Sequence, residues 1–225
     1  MKKAIAILLA LLMVLSLAAC GGGSKKKAFS LAKKAFDEIE EAYSITESFG
    51  DDVYEAWRIA IYEDDELLED GIKHLATQLH LSESELSDGV AAYLIEDVGE
   101  GSWETASLEE KNLYKDNTAA LFGIFESSLF SFVVGCVVKA YSISGKSDMI
   151  QAALDAAKAD MKEMSEKYSD YEHYASLKKY YTTTNAYYEF CKNPTGSFEQ
   201  LKTTTSNYSN DARTHRNDLA YIFED

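Results

Sequence analysis

Four side chains able to bind a metal recur at helical spacing late in the chain: Glu163, Glu166, Asp170 and His173. On an unbroken helix, steps of three and four residues bring them to one face. Carboxylate oxygens and an imidazole along such a stripe suit a divalent cation. Ser169 and Glu172, however, have the spacing of a capping box, which would break the helix in the middle of the stripe. Charged stripes are also ordinarily solvated faces. A second candidate is aromatic. Tyr168, Tyr171, Tyr174, Tyr180, Tyr181, Tyr187 and Tyr188 crowd one stretch and occupy more than one side of a helix. Some are therefore expected to face outward, with Tyr171, Tyr174, Tyr180, Tyr181, Tyr187 and Tyr188 forming a binding surface for a protein or glycan. The competing reading is of half-buried rings whose hydroxyls stay wet.

Other reactive residues are sparse. Beyond Cys20, only Cys136 and Cys191 are present. They could form one disulfide if the fold brings them together, or remain two buried thiols acting as small apolar side chains. His74, His80, His173 and His215 form no HExxH or paired ExxH pattern. The acidic cluster Glu63 to Glu66, with Glu69 and Asp70, lacks the loop spacing of a calcium-binding EF-hand. There is no nucleophile elbow and no phosphate-binding glycine loop, so no catalytic residue and no cofactor is expected.

The N-terminus carries the most specific signal. Lys2 and Lys3 precede an apolar stretch, Ala4 to Ala19, too short for a comfortable membrane span and flanked like a secretory signal. It ends in Leu17-Ala18-Ala19-Cys20, followed by Gly21-Gly22-Gly23-Ser24. This segment resembles the lipobox of bacterial lipoproteins. The resemblance implies that residues 1–19 are a signal peptide. It also implies that Cys20 becomes the first mature residue and carries a diacylglyceryl thioether with further acylation such as palmitate. Two or more acyl chains anchor a protein stably, so the expected location is the outer face of a cytoplasmic membrane. Residues 20–27 would then be a short tether, a Gly-rich coil reaching only about 15 Å. Lys25, Lys26 and Lys27 within it can meet anionic headgroups.

Charge narrows the partners. The chain carries 22 basic and 38 acidic residues. Removing Lys2 and Lys3 with the signal leaves 20 against 38, a balance of −18. Such acidity argues against nucleic acid. The segment Leu75 to Leu86 resembles a helix-turn-helix core, but its second helix carries Glu83, Glu85, Asp88, Glu96 and Asp97 with no Lys or Arg. Phosphate binding needs positive charge.

The elements that must position these residues are helical throughout. Pro194 is the only proline, and apolar residues recur at three and four. Ala28 to Phe49 reads as one helix stopped by Gly50, and Asp51-Asp52 opens another. A short helix with a weak point at Gly71 follows, then one capped by Ser82 and Glu85. Residues 99–105 read as a linker between a helical unit at 28–98 and a long-helix bundle at 107–225. In that bundle, a helix capped at Ser107 is expected to run unbroken to Gly145. It contains Ala119 to Val138, twenty residues with one charge, Glu126.

That run poses a membrane question. Its eleven large apolar residues favour insertion by about 3–6 kcal/mol, and an acid near the centre costs about 2.5–3.5 kcal/mol. Insertion is marginal, whereas the flanking helices have apolar stripes that need a partner. A central helix of a bundle satisfies both. The expected fold is all-α: a multi-helix bundle with long C-terminal helices around a central apolar helix. The expected function is a lipid-anchored extracytoplasmic binding module, held to the membrane by its lipid. The alternatives are a transporter accessory with residues 119–138 spanning the membrane, or a metal-dependent helical bundle.

Overall fold

In the computed structural model, side chains are described for residues 24–63, 70–99, 101–117, 122, 124–125 and 128–224, and the backbone of 2–23 and 64–69 is followed within helices. The described residues form eight α-helices and no strand: α1 (Lys2–Tyr62), α2 (Asp64–Gln78), α3 (Glu83–Tyr93), α4 (Leu108–Lys115), α5 (Leu129–Ile143), α6 (Lys146–Lys167), α7 (Tyr174–Lys192) and α8 (Phe198–Phe223). A single π-helical turn, Leu94–Val98, extends α3. The protein is an all-α multi-helix bundle.

Helix α1 is the spine. Its buried face runs from Ala32 and Phe36 through Ile39 and Tyr43 to Phe49, Val53 and Trp57, at the spacing that keeps one stripe inward. The first half of the stripe packs with Met161 and Met164 of α6, Leu177 and Tyr180 of α7, and Leu219 and Phe223 of α8. The second half packs with Leu86 and Val90 of α3, Phe132, Val137 and Tyr141 of α5, and Tyr187 and Cys191 of α7. Each large apolar side chain fully buried this way contributes about 1.5–3 kcal/mol. Residues 28–98 and 107–225 therefore bury their apolar faces in one another across the 99–106 connection.

Gly50 does not end a helix as expected; α1 passes through it to Tyr62. The reason is packing. The Tyr187 ring lies against the Gly50 backbone so closely that a Cβ there would overlap its hydroxyl end. Glycine at this position serves a close approach rather than a turn. The expected long helix from Ser107 is also divided. Ser107 accepts from the Glu110 N–H, but α4 ends at Lys115 with a turn at Asp116 and Asn117, and the apolar helix α5 spans Leu129–Ile143; residues 118–121, 123, 126 and 127 of the expected run lie outside the described residues. Helix α5 is buried between α3 and α1, with Phe132, Val133, Cys136, Val137, Ala140 and Tyr141 inside. Among the described residues, no single helix is long and apolar enough to cross a membrane. The bent pair α5 and α6, 62° apart, passes that test together by length and composition.

The capping box at Ser82–Glu85 forms and starts α3, and Ser197–Gln200, which has the same four-residue spacing in the sequence, forms another that starts α8. The expected box at Ser169–Glu172 does not. Helix α6 ends with Lys167, residues 168–173 make a turn, and α7 starts after His173 with no side-chain cap. Ser24 to Lys27, expected as coil, belong to α1 and are exposed; serine and lysine allow the helix to continue there.

Candidate functional site

An open groove of about 370 Å³ lies where the second half of α1 meets α3, α5 and the end of α7. Its floor is aromatic. Trp57 of α1 stacks on Phe130 of α5, with centroids 5.7 Å apart and planes 17° from parallel. Trp57 is almost wholly buried, whereas Phe130 is 43% exposed and presents its ring to the groove. Tyr93 forms a second wall, seated over Gly135, where a Cβ would collide with its ring. Small residues on this face of α5, Ser131 and Gly135, keep the groove open.

The rim is polar. The π-helical turn inserts one extra residue per turn at the end of α3, a device frequent at functional sites. Here it turns Glu96 and Asp97 together onto Lys139 of α5, at 2.7 and 2.9 Å. Glu96 also accepts from the Trp103 N–H at 2.9 Å. Burial works against the Lys139 charge, but the hydrogen bonds to Glu96 and Asp97 outweigh it and raise its pKa above the ordinary value. The same bond from Lys139 holds Glu96 below the usual carboxylate range. Opposite, Lys192 pairs with Glu189 at 2.7 Å and lies over the Tyr188 ring, next to Asn193 and Pro194. Aromatic faces between fixed charges of both signs can stack on an apolar ring or sugar face while hydrogen-bonding its polar edge.

The residues singled out in the sequence fall elsewhere. Tyr180, Tyr187 and Tyr188 are core residues rather than a binding surface. Tyr180 donates to Glu40 at 2.5 Å, and Tyr188 donates to the Ser147 carbonyl at 3.1 Å. Long α7 needs a continuous inward face, and bulky rings fill the gap between α1 and α8. Tyr171, Tyr174 and Tyr181 remain half-buried. The metal stripe does not assemble. Glu163 and Glu166 sit on α6 while Asp170 and His173 follow the helix break, and Glu163 is paired with Lys167 at 3.0 Å. Among the described residues, no group of three or more His, Cys, Asp or Glu is placed to hold a metal ion. Cys136 and Cys191 are both buried and free, and burial pushes both thiols well above their usual pKa. Cys20 and Glu126 lie outside the residues whose side chains are described.

Sequence reasoning missed one polar centre entirely. Asp52 is buried in α1 and accepts from the His80 backbone N–H at 2.8 Å, from its ring Nδ1 at 2.7 Å and from the Tyr141 hydroxyl at 2.9 Å. Burial raises the Asp52 pKa despite these three donors. Burial and then the neighbouring Asp52 push Tyr141 far above the ordinary phenol value. The His80 imidazole whose Nδ1 faces this carboxylate is itself 58% exposed. The pair lines neither this groove nor the cleft beside residues 24–29 of α1. Its evident work is to tie α1 to the α2–α3 turn and to α5. No local sequence signal pairs residues 28 and 89 positions apart.

No protein-family model matches this chain, and no curated protein or solved structure matches it either.

Proposed function

We propose that the protein is a lipid-anchored, extracytoplasmic binding module whose ligand occupies the Trp57–Phe130 groove. The observation that carries this reading is the groove itself, an aromatic floor framed by Lys139, Asp97, Lys192 and Asn193. Its volume lies at the lower end of the range for small-molecule sites. The lining suits one or two sugar rings or a short peptide carrying both apolar and polar groups. The lipobox-like segment ending at Cys20 supplies the anchor and places the domain outside the cytoplasmic membrane, where glycans and peptides of the cell surface are within reach.

Two measurements test the two halves of this reading. Labelled palmitate should enter the wild-type protein and be lost in Cys20→Ala, and a tag after Asp225 should be removed by protease on intact, wall-stripped cells. A tag protected until lysis would place the chain's end on the other side. For the groove, Trp103→Phe leaves Trp57 as the sole tryptophan. Its emission is expected to shift on titration with cell-wall disaccharides or short wall peptides, and Phe130→Ala should abolish the shift. Unchanged emission across both ligand classes would remove the groove from the proposal.

A further inference from the structure

A second cleft, of about 700 Å³, opens beside residues 24–29 of the spine, well away from the Trp57 groove. Ser24, Lys25, Ala28 and Phe29 of α1 form one side. The turn from Lys167 to His173 forms another, and Ile222 of α8 closes it. Phe29 is 42% exposed and packs on Phe223, with centroids 5.6 Å apart. His173 meets the same Phe223 ring edge-on at 6.3 Å, and Tyr171 meets His173 at 5.4 Å. One wall is thus a continuous run of rings. The remaining lining carries both signs of charge: Lys25 and Lys167 against Asp170 and Glu172.

We propose that this cleft binds the headgroup of a zwitterionic aminophospholipid in the membrane to which the chain is anchored. The membrane's proximity rests on the lipidation of Cys20; the lining does not. At a helical rise of about 1.5 Å per residue, Ser24 stands about 6 Å and Phe29 about 14 Å along α1 from Cys20. A headgroup layer is about 5–8 Å deep, so the cleft lies in or just above that layer. Tyr168 and Tyr171 are of the type that settles at this boundary, and the exposed Phe29 ring adds apolar surface beside them. The charge pattern selects the headgroup. A purely anionic group would be opposed by Asp170 and Glu172 and by the acidity of the whole domain. A phosphodiester bearing an ammonium is complemented at both ends. Lys25 takes the phosphate oxygens, joined by Lys167, which shares its ammonium with Glu163 at 3.0 Å, while the tyrosine faces and Asp170 take the ammonium of the ligand.

The test uses the full chain in neutral detergent, titrated separately with glycerophosphoethanolamine, glycerophosphate and ethanolamine while tyrosine fluorescence is read. Only glycerophosphoethanolamine is expected to saturate. Its Kd should rise about tenfold in Lys25→Glu and in Tyr171→Ala, and stay unchanged in Lys202→Glu. Equal binding of glycerophosphate would show a plain anion site and overturn the proposal, as would no saturation by any of the three. The membrane source is read by reconstituting the chain into phosphatidylethanolamine vesicles doped with a photoreactive analogue of that lipid. Adducts are expected on residues 168–173. Soluble headgroup binding without such adducts would identify a free phosphodiester as the occupant and overturn the membrane assignment. A missing diacylglyceryl mass on Cys20 would count against the anchor alone and leave the titration standing.

Discussion

At the scale of single residues, the molecule places polar and small groups where large neighbours leave little choice. Gly50 makes room for Tyr187, whose hydroxyl is buried with no hydrogen-bond partner among the described residues. Gly50→Ala is therefore expected to cost about 1–3 kcal/mol through overpacking. Tyr187→Phe, which removes an unpaired buried hydroxyl, should be neutral or stabilise by about 1 kcal/mol, and should relieve part of the Gly50→Ala defect. Urea unfolding of the two single variants and the double variant checks the coupling. Asp52 is the opposite case, a buried acceptor with three donors. Asp52→Ala strands the His80 N–H and the Tyr141 hydroxyl and is expected to cost about 2–4 kcal/mol, with Asp52→Asn less damaging because it keeps an acceptor. Neither residue was legible beforehand. A glycine between two apolar stretches reads as a stop, and only the ring arriving from α7 shows why the helix continues.

At the scale of elements, local chemistry was readable wherever it was self-contained. Ser82–Glu85 and Ser197–Gln200 each satisfy their own helix start within four residues, so the sequence pattern suffices. Removing such a cap, as in Ser197→Ala, is expected to cost about 1 kcal/mol and to raise amide exchange in the first turn of α8. Ser169–Glu172 has the same spacing, but there the next helix starts only after His173. The aromatic groove depended on long-range packing. Trp57 and Phe130 are separated by more than seventy residues, and the π-helical turn that brings Glu96 and Asp97 onto Lys139 leaves no periodic signature. All-helical architecture could be read from spacing and the near absence of proline; which tyrosines point inward on α7 could not. That depends on how large a gap α1 and α8 leave between them.

For the whole molecule, acid–base pairs add polar ties between helices to the two apolar clusters, and their titration sets a pH profile. Glu47 bonds to Tyr43, Arg213 and Ser209, Glu63 to Arg58 and His74, Glu85 to Lys146 and Ser82, and Glu96 to Lys139. All four have folded pKa values below the ordinary 4.5. A depressed carboxylate gives stability that is complete above its unfolded value and is lost as pH falls through the folded one. Glu38, Asp51 and Asp52 are raised, chiefly by burial, from ordinary values of 4.5, 3.8 and 3.8. Their strain is relieved on protonation. Stability is therefore expected to rise slightly from neutral toward mildly acidic pH, then fall below about pH 4.5 as the four pairs break. Urea midpoints measured across that range check it, and Glu47→Gln with Glu96→Gln should flatten the acid limb.

The spine carries a further consequence. Because α1 contributes Phe36 to one apolar cluster and Phe49 to the other, neither cluster has a boundary at which the chain could come apart alone. The bundle should melt as one cooperative unit. Met164→Ala in the first cluster and Leu86→Ala in the second should each lower the same single calorimetric transition, with its van't Hoff and calorimetric enthalpies still equal. A change in free energy at one cluster, from a substitution at Trp57 for example, is then felt at the other.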